Sequence, residues 1–231
     1  MIPHPDTPPD EQPACHRFAV GLDIAQVHDA SALAIVKKSW AINSSGRAEN
    51  AAYHCGFLHK WKLGTRYDKV IDDTKSICKN AQLIGSARIN GRWRKFLPTL
   101  AVDRTGVGSP IFEQLTTSGS GLNAYGICFT GGESFHRVAG RRYNLPKKDA
   151  VAKLTQGLQS GTLTISKGLE HAPAMLRELK SFKVKIKPSG HEVLEHAKAS
   201  DHDDLLIAVS MALWVLDHAP IQMDEVELFW K

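Results

Sequence analysis

The four cysteines of this 231-residue chain, Cys15, Cys55, Cys78 and Cys128, are scattered, with no Cys-x-x-Cys pair. A zinc ribbon is therefore excluded, and with no secretory leader the cysteines read as reduced thiols of a cytoplasmic protein. The eleven histidines show no His-x-x-x-His spacing of the kind that holds zinc on a helix. The longest apolar stretch, 205–216, falls short of the ~20 residues a bilayer requires, so no membrane span is expected. The start, "MIPHPDTPPDEQPA", is Pro-rich and acidic, and so neither a signal peptide nor an anchor. No Gly-Lys dipeptide occurs anywhere, which removes the Walker loop that a nucleotide-driven motor requires. What remains is an ordinary globular composition, 42% hydrophobic and 23% charged, with a net charge of +5. A mild basic excess permits a polyanionic partner without establishing one.

The pattern predicts a disordered leader over 1–15 and one domain over 16–231. Three short runs, 17–25, 30–40 and 51–61, read as an antiparallel meander. The period then changes. Val70, Ile71, Thr74 and Ile77 share a face of a helix within 65–81, and 85–98 reads as a basic connection. A strand at 99–103 leads to a helix at 109–119, with Ser109 as its N-cap and Pro110 at its first position. Further elements are a strand at 123–131, a helix at 145–161, a short edge strand in "TLTIS", a helix at 170–182 interrupted near Pro173, a hairpin over 183–196 and a final apolar helix. Meander first, alternation afterwards, is a mixed α/β sheet flanked by helices.

The acids carry the chemical signal. Asp23 closes the first strand, and Asp103 closes a strand expected to lie parallel beside it. "SDHDDLLIAVSMALWVL" (200–216) opens the last helix with Asp201, Asp203 and Asp204. Parallel neighbours bring their C-terminal ends together, and open α/β sheets form ligand sites there. Converging carboxylates repel unless cations sit between them. Oxygen-only ligands suit magnesium or manganese, and two such ions are the usual apparatus for hydrolysing phosphodiesters. Each acid also has a structural alternative. Asp23 suits a lysine partner or a phosphate-binding hairpin, Asp103 suits the turn Asp-Arg-Thr-Gly, Asp203 suits a capping box with Ser200, and Asp201 suits the helix dipole. Asp204 shares a face with Ala208, Met211, Ala212 and Val215, so its carboxylate lies on the buried stripe.

"VGLDIAQVHDASALAIV", "LAVDRTGVGSPIFEQL" and "DHDDLLIAVSMALW", together with "YNLPKKDAVAKLTQGLQSGTLTIS", resemble the nuclease domain of phage large terminase subunits over about residues 17–217. The resemblance implies a ribonuclease-H-like fold, with an extra basic β-hairpin at 183–196. It also implies an endonuclease that cuts concatemeric viral DNA into genome lengths with two Mg2+ or Mn2+ ions. Carried across, the catalytic, metal-binding acids are Asp23, Asp103 and Asp204. Asp201 stands at the assisting position, and Asp203 replaces Asp204 if the alignment slips by one. The missing Walker loop departs from a complete terminase. The expected chain is thus a nuclease domain alone (excised, split or a prophage remnant), its own Met and leader favouring a free-standing protein. A separate packaging ATPase, a small terminase subunit or a portal would then be its partners, besides double-stranded DNA.

Three basic segments are the expected DNA contacts: Lys183, Lys185 and Lys187 along one hairpin strand; Arg92 and Arg94 around Trp93; and Arg141, Arg142 and Lys147. Each competes with a plain solvated face. Two rival readings stand beside the terminase one: a Holliday-junction resolvase, and a catalytically silent DNA-binding or assembly module.

Overall fold

The computed structural model describes residues 15–25, 29–43, 45, 47–117, 119–186, 192–196 and 203–221. The leader expected at 1–15 lies outside them except for Cys15, which already pairs with Trp40 as the first residue of strand β1. β1 (Cys15–Asp23), β2 (Ala32–Ile42) and β3 (Ala48–Lys60) form the antiparallel meander. Helix α1 (Tyr67–Cys78) follows. The stretch read as a basic connection is instead a second hairpin, β4 (Gly85–Ile89) and β5 (Arg92–Phe96). Its turn is Asn90-Gly91, both residues at positive φ, 51° and 77°. Asn-Gly is the dipeptide that a type I′ hairpin turn selects, so the signal was present in the sequence.

β6 (Thr99–Asp103), α2 (Gly108–Leu115) and β7 (Asn123–Thr130) come next. α2 starts one residue before Ser109, after a tight turn in which Gly108 N–H donates to Thr105 O at 3.2 Å. The expected Ser109 cap is not made; its Oγ accepts from Arg104 instead. Pro110 still falls in the first turn, where a missing N–H costs nothing. A third hairpin, β8 (His136–Ala139) and β9 (Arg142–Pro146), precedes α3 (Lys147–Ser160). β10 (Leu163–Ile165) is the expected edge strand, parallel to β3. α4 (Ala172–Ser181) takes Pro173 into its first turn rather than being broken by it. β11 (Phe182–Ile186) and β12 (Glu192–His196) form the predicted hairpin, and α5 (Asp204–His218) closes the chain.

The main sheet runs β10-β3-β2-β1-β6-β7-β9-β8, with β4 and β5 attached at the start of β1. β1, β6, β7 and β9 are mutually parallel. Alternation along the two central strands divides the core. Val20, Leu22, Leu100 and Val102 pack with Val70, Ile71, Ile111 and Phe112 beneath α1 and α2. Ala19 and Ala101 pack on the other face with Met175 of α4, Leu154 of α3 and nearly all of α5. α5 is buried from Asp204 to Leu216, as its unbroken apolar run requires.

Candidate active site

Period-two alternation decides where the acids point. Asp23 has the parity of Ala19 and Asp103 that of Ala101, so both carboxylates leave the sheet on the α5 side. Leu22 and Val102 are direct partners in the parallel ladder, which sets the two following acids on adjacent strands, about 4.8 Å apart. α5 is brought down on them by a glycine. A Cβ on Gly21 would lie 1.9 Å from Ala208 O, so only glycine admits the helix backbone at that distance. Asp204 is one turn before Ala208, and Asp23 is two residues after Gly21, so the helix start and the strand end come level.

The local chemistry fixes each group. Asp103 Oδ1 accepts from Thr105 N–H at 2.7 Å, so the turn role and the site role coexist in one residue. Burial, and then the fields of Asp103, Asp204 and Asp203, push the Asp23 carboxyl well above the usual carboxylate range, against the opposing field of Lys147. Burial likewise raises Asp103 against its hydrogen bonds to Thr105, and raises Asp204 against its pairing with Lys60. Lys60 Nζ lies 2.7 Å from Asp204 Oδ2.

Asp203 precedes the helix but makes no capping hydrogen bond; its carboxylate pairs with Lys147. Ser200, the other half of the expected capping box, lies outside the described residues, and Asp203 stands as the N-cap of α5 rather than as the box's third helical residue. The capping role passes to Glu178, whose Oε2 accepts from Leu206 N–H at 2.9 Å. Glu178 is a buried acid that the sequence reading missed. Burial lifts its pKa to about 7, the hydrogen bond from Leu206 opposing. The signal for it was available: Ala172, Met175 and Glu178 make up the buried stripe of α4, the same argument that singled out Asp204. Lys60, too, was not foreseen.

The basic residues separate. Lys147, expected on DNA, joins the acid cluster at the start of α3. Arg142 grips Glu113 with two hydrogen bonds of 2.6 and 2.8 Å, and Arg141 sits over the Tyr125 ring and donates to Asn123. Arg92 and Arg94 are exposed, but their hairpin joins β1 at His16, seven residues before Asp23. At ~3.3 Å per residue that places its root about 23 Å from the acids, so these two arginines do not flank the site. Lys183 and Lys185 lie in β11, immediately after α4. Lys187 and Asp201 lie outside the described residues.

Among the described residues no three His, Cys, Asp or Glu groups stand close enough to hold one ion as the side chains are placed. The donor chemistry nevertheless fits a hard cation. The carboxylates supply oxygen alone, and Asp23 is buried where three acids disfavour its charge.

A mixed sheet with parallel acid-ending central strands and a closing helix on the same face is a ribonuclease-H-like fold. Solved phage terminases have this fold. The large terminase nuclease from thermophilic phage G20c superposes with a TM-score of 0.52 at 16% identity, covering 86% of this chain and 82% of that one. Its magnesium-bound form gives 0.50 at 17%, over 85% and 80%. The Thermus phage P74-26 large terminase nuclease domain gives 0.52 at 14%, over 87% and 80%. No family model matches the chain. No curated protein matches it either.

Proposed function

We propose that this chain is a divalent-metal-dependent DNA endonuclease that cuts concatemeric DNA during viral genome packaging. The observation that carries the reading is the convergence of Asp23, Asp103 and Asp204 on one face, with Asp203 and Lys147 beside them. Asp23, Asp103 and Asp204 would hold two Mg2+ or Mn2+ ions, Asp201 assisting. Bound there, the ions supply a Lewis acid for the phosphodiester and an activated water. The protein's own residues prepare that site. Thr105 N–H orients Asp103, Glu178 anchors the first turn of α5, and Gly21 lets that turn reach the sheet. The α3 start carries Lys147, whose ammonium pairs with Asp203 and so brings a cation to the acid cluster. The hairpin β11–β12 begins where α4 ends, and Lys183, Lys185 and Lys187 are its proposed phosphate contacts. With no Walker loop in these residues, translocation would be driven by a separate packaging ATPase, with a small terminase subunit or portal as further partners. The neighbours solved as terminase nucleases, one with magnesium, support the reading through fold.

Supercoiled plasmid incubated with magnesium or manganese should be nicked and linearised, EDTA should abolish the reaction, and calcium should bind without turnover. Cleavage in EDTA refutes the metal reading. Strong preference for four-way junctions over linear duplex refutes the packaging role in favour of a resolvase.

A further inference from the structure

Lys60 ends β3, where Trp61 N–H donating to Ser31 O at 3.0 Å holds the strand end in place. Its ammonium lies 2.7 Å from Asp204 Oδ2 and 3.8 Å from Glu178 Oε1, and both carboxylates are buried. Asp29, on the loop after β1, adds its field to both Lys60 and Asp204. One ammonium thus serves several carboxylates and is hydrogen-bonding distance from the third acid.

From this geometry we infer that Lys60 is the built-in counter-ion of the third acid, and that it sets how tightly Asp204 takes a divalent cation. The inference rests on Asp204 being a metal ligand, as proposed above. The ammonium and an incoming ion compete for the same carboxylate. Apparent affinity is lowered by the fraction of molecules in which the ammonium holds that carboxylate. Exchange requires no unfolding. The four-carbon stem and three donors of a lysine let the ammonium swing from Asp204 to Glu178, which it nearly touches already. Glu178 can receive it on Oε1 while Oε2 keeps its bond to Leu206 N–H. Glu178 is thus both the cap of α5 and the place where the displaced lysine lands.

The test is calorimetric titration of the EDTA-stripped protein with manganese chloride and with calcium chloride, without DNA, supported by melting shifts in each metal. Lys60→Gln should bind either ion at least about tenfold more tightly than wild type, and Lys60→Arg should stay close to wild type. Should Lys60→Gln fold poorly, Lys60→Gln combined with Glu178→Gln keeps the local charge balance. That double variant should bind more tightly than Glu178→Gln alone. Equal or weaker binding on loss of the ammonium overturns the inference while leaving the nuclease reading intact. A wild-type protein and variants that all fail to take up either metal would instead sink the nuclease reading itself.

Discussion

The two ends of α5 each carry an aspartate, Asp204 buried and Asp217 at the surface, and they are built to opposite rules. At the C-terminal end, Asp217 accepts from Lys38 at 2.7 Å, from Tyr53 Oη at 2.6 Å and from Lys153. Both lysines also lie over the Tyr53 ring, 5.6 and 5.5 Å from its centre. Arg17 completes that end, donating to Ala219 O at 3.0 Å, where a cation suits the helix dipole. At the N-terminal end the balance is reversed: Asp23, Asp103, Asp203, Asp204 and Glu178 share the ammoniums of Lys60 and Lys147. A carboxylate surrounded by cations on tied-down side chains is a strut. Carboxylates that outnumber their cations are strained by design, and such groups cluster at sites that bind something. The same residue type on the same helix thus serves structure at one end and, on the proposed reading, chemistry at the other.

The comparison breaks most completely if the helix is moved. Gly21→Ala places a methyl 1.9 Å from Ala208 O, which only a shift of α5 relieves. We expect a loss of about 1–3 kcal/mol in chemical denaturation and loss of plasmid cleavage, because the shift separates Asp204 from Asp23. Unchanged cleavage would show that close approach of α5 to β1 is dispensable.

The pH response of the N-terminal end should be next in size. Glu178 titrates near 4.5 in the unfolded chain and at about 7 in the fold. Its folded value is raised, so its contribution to stability is fully present below about 4.5 and is lost as pH rises to about 7. Asp23 and Asp204, also raised, act in the same direction. In EDTA the melting temperature should therefore fall between pH 5 and 7, and Glu178→Gln should flatten that fall. A rise over this range contradicts the assigned imbalance.

The smallest effect is expected at the far hairpin. Arg92→Gln with Arg94→Gln should leave cleavage rate and its salt dependence nearly unchanged, whereas Lys183→Gln with Lys185→Gln should weaken DNA binding and flatten the salt slope. The reverse result would relocate the DNA path to the opposite end of the sheet.

Much of this was legible in the sequence. Strands β1 and β6 each end in an acid, and that fact with a helical crossover between them was enough to predict their parallel pairing and the meeting of Asp23 with Asp103. α5 was legible because its apolar run permits no other placement. The site's cations were not. Lys60 reaches Asp204 across 144 positions and Lys147 reaches Asp203 across 56, and no local pattern encodes such long-range pairs. Glu178 was missed although its stripe was readable, because a single acid in an amphipathic helix usually faces water. The β4–β5 hairpin was obscured by its charge: Arg92, Arg94 and Lys95 hid the strand alternation around Trp93 and Phe96, and only Asn90-Gly91 marked the turn.

The most direct test sets Asp204→Asn beside Asp217→Asn, with melting measured in EDTA and plasmid cleavage in manganese. The account predicts that Asp204→Asn abolishes cleavage yet melts at or above the wild-type temperature, since the amide relieves repulsion from Asp23. It predicts that Asp217→Asn retains cleavage but loses about 1 kcal/mol, because Lys38 and Lys153 lose their carboxylate. If Asp204→Asn still cuts, or if Asp217→Asn loses cleavage while keeping its stability, the assignment of chemistry to the N-terminal end of α5 is contradicted.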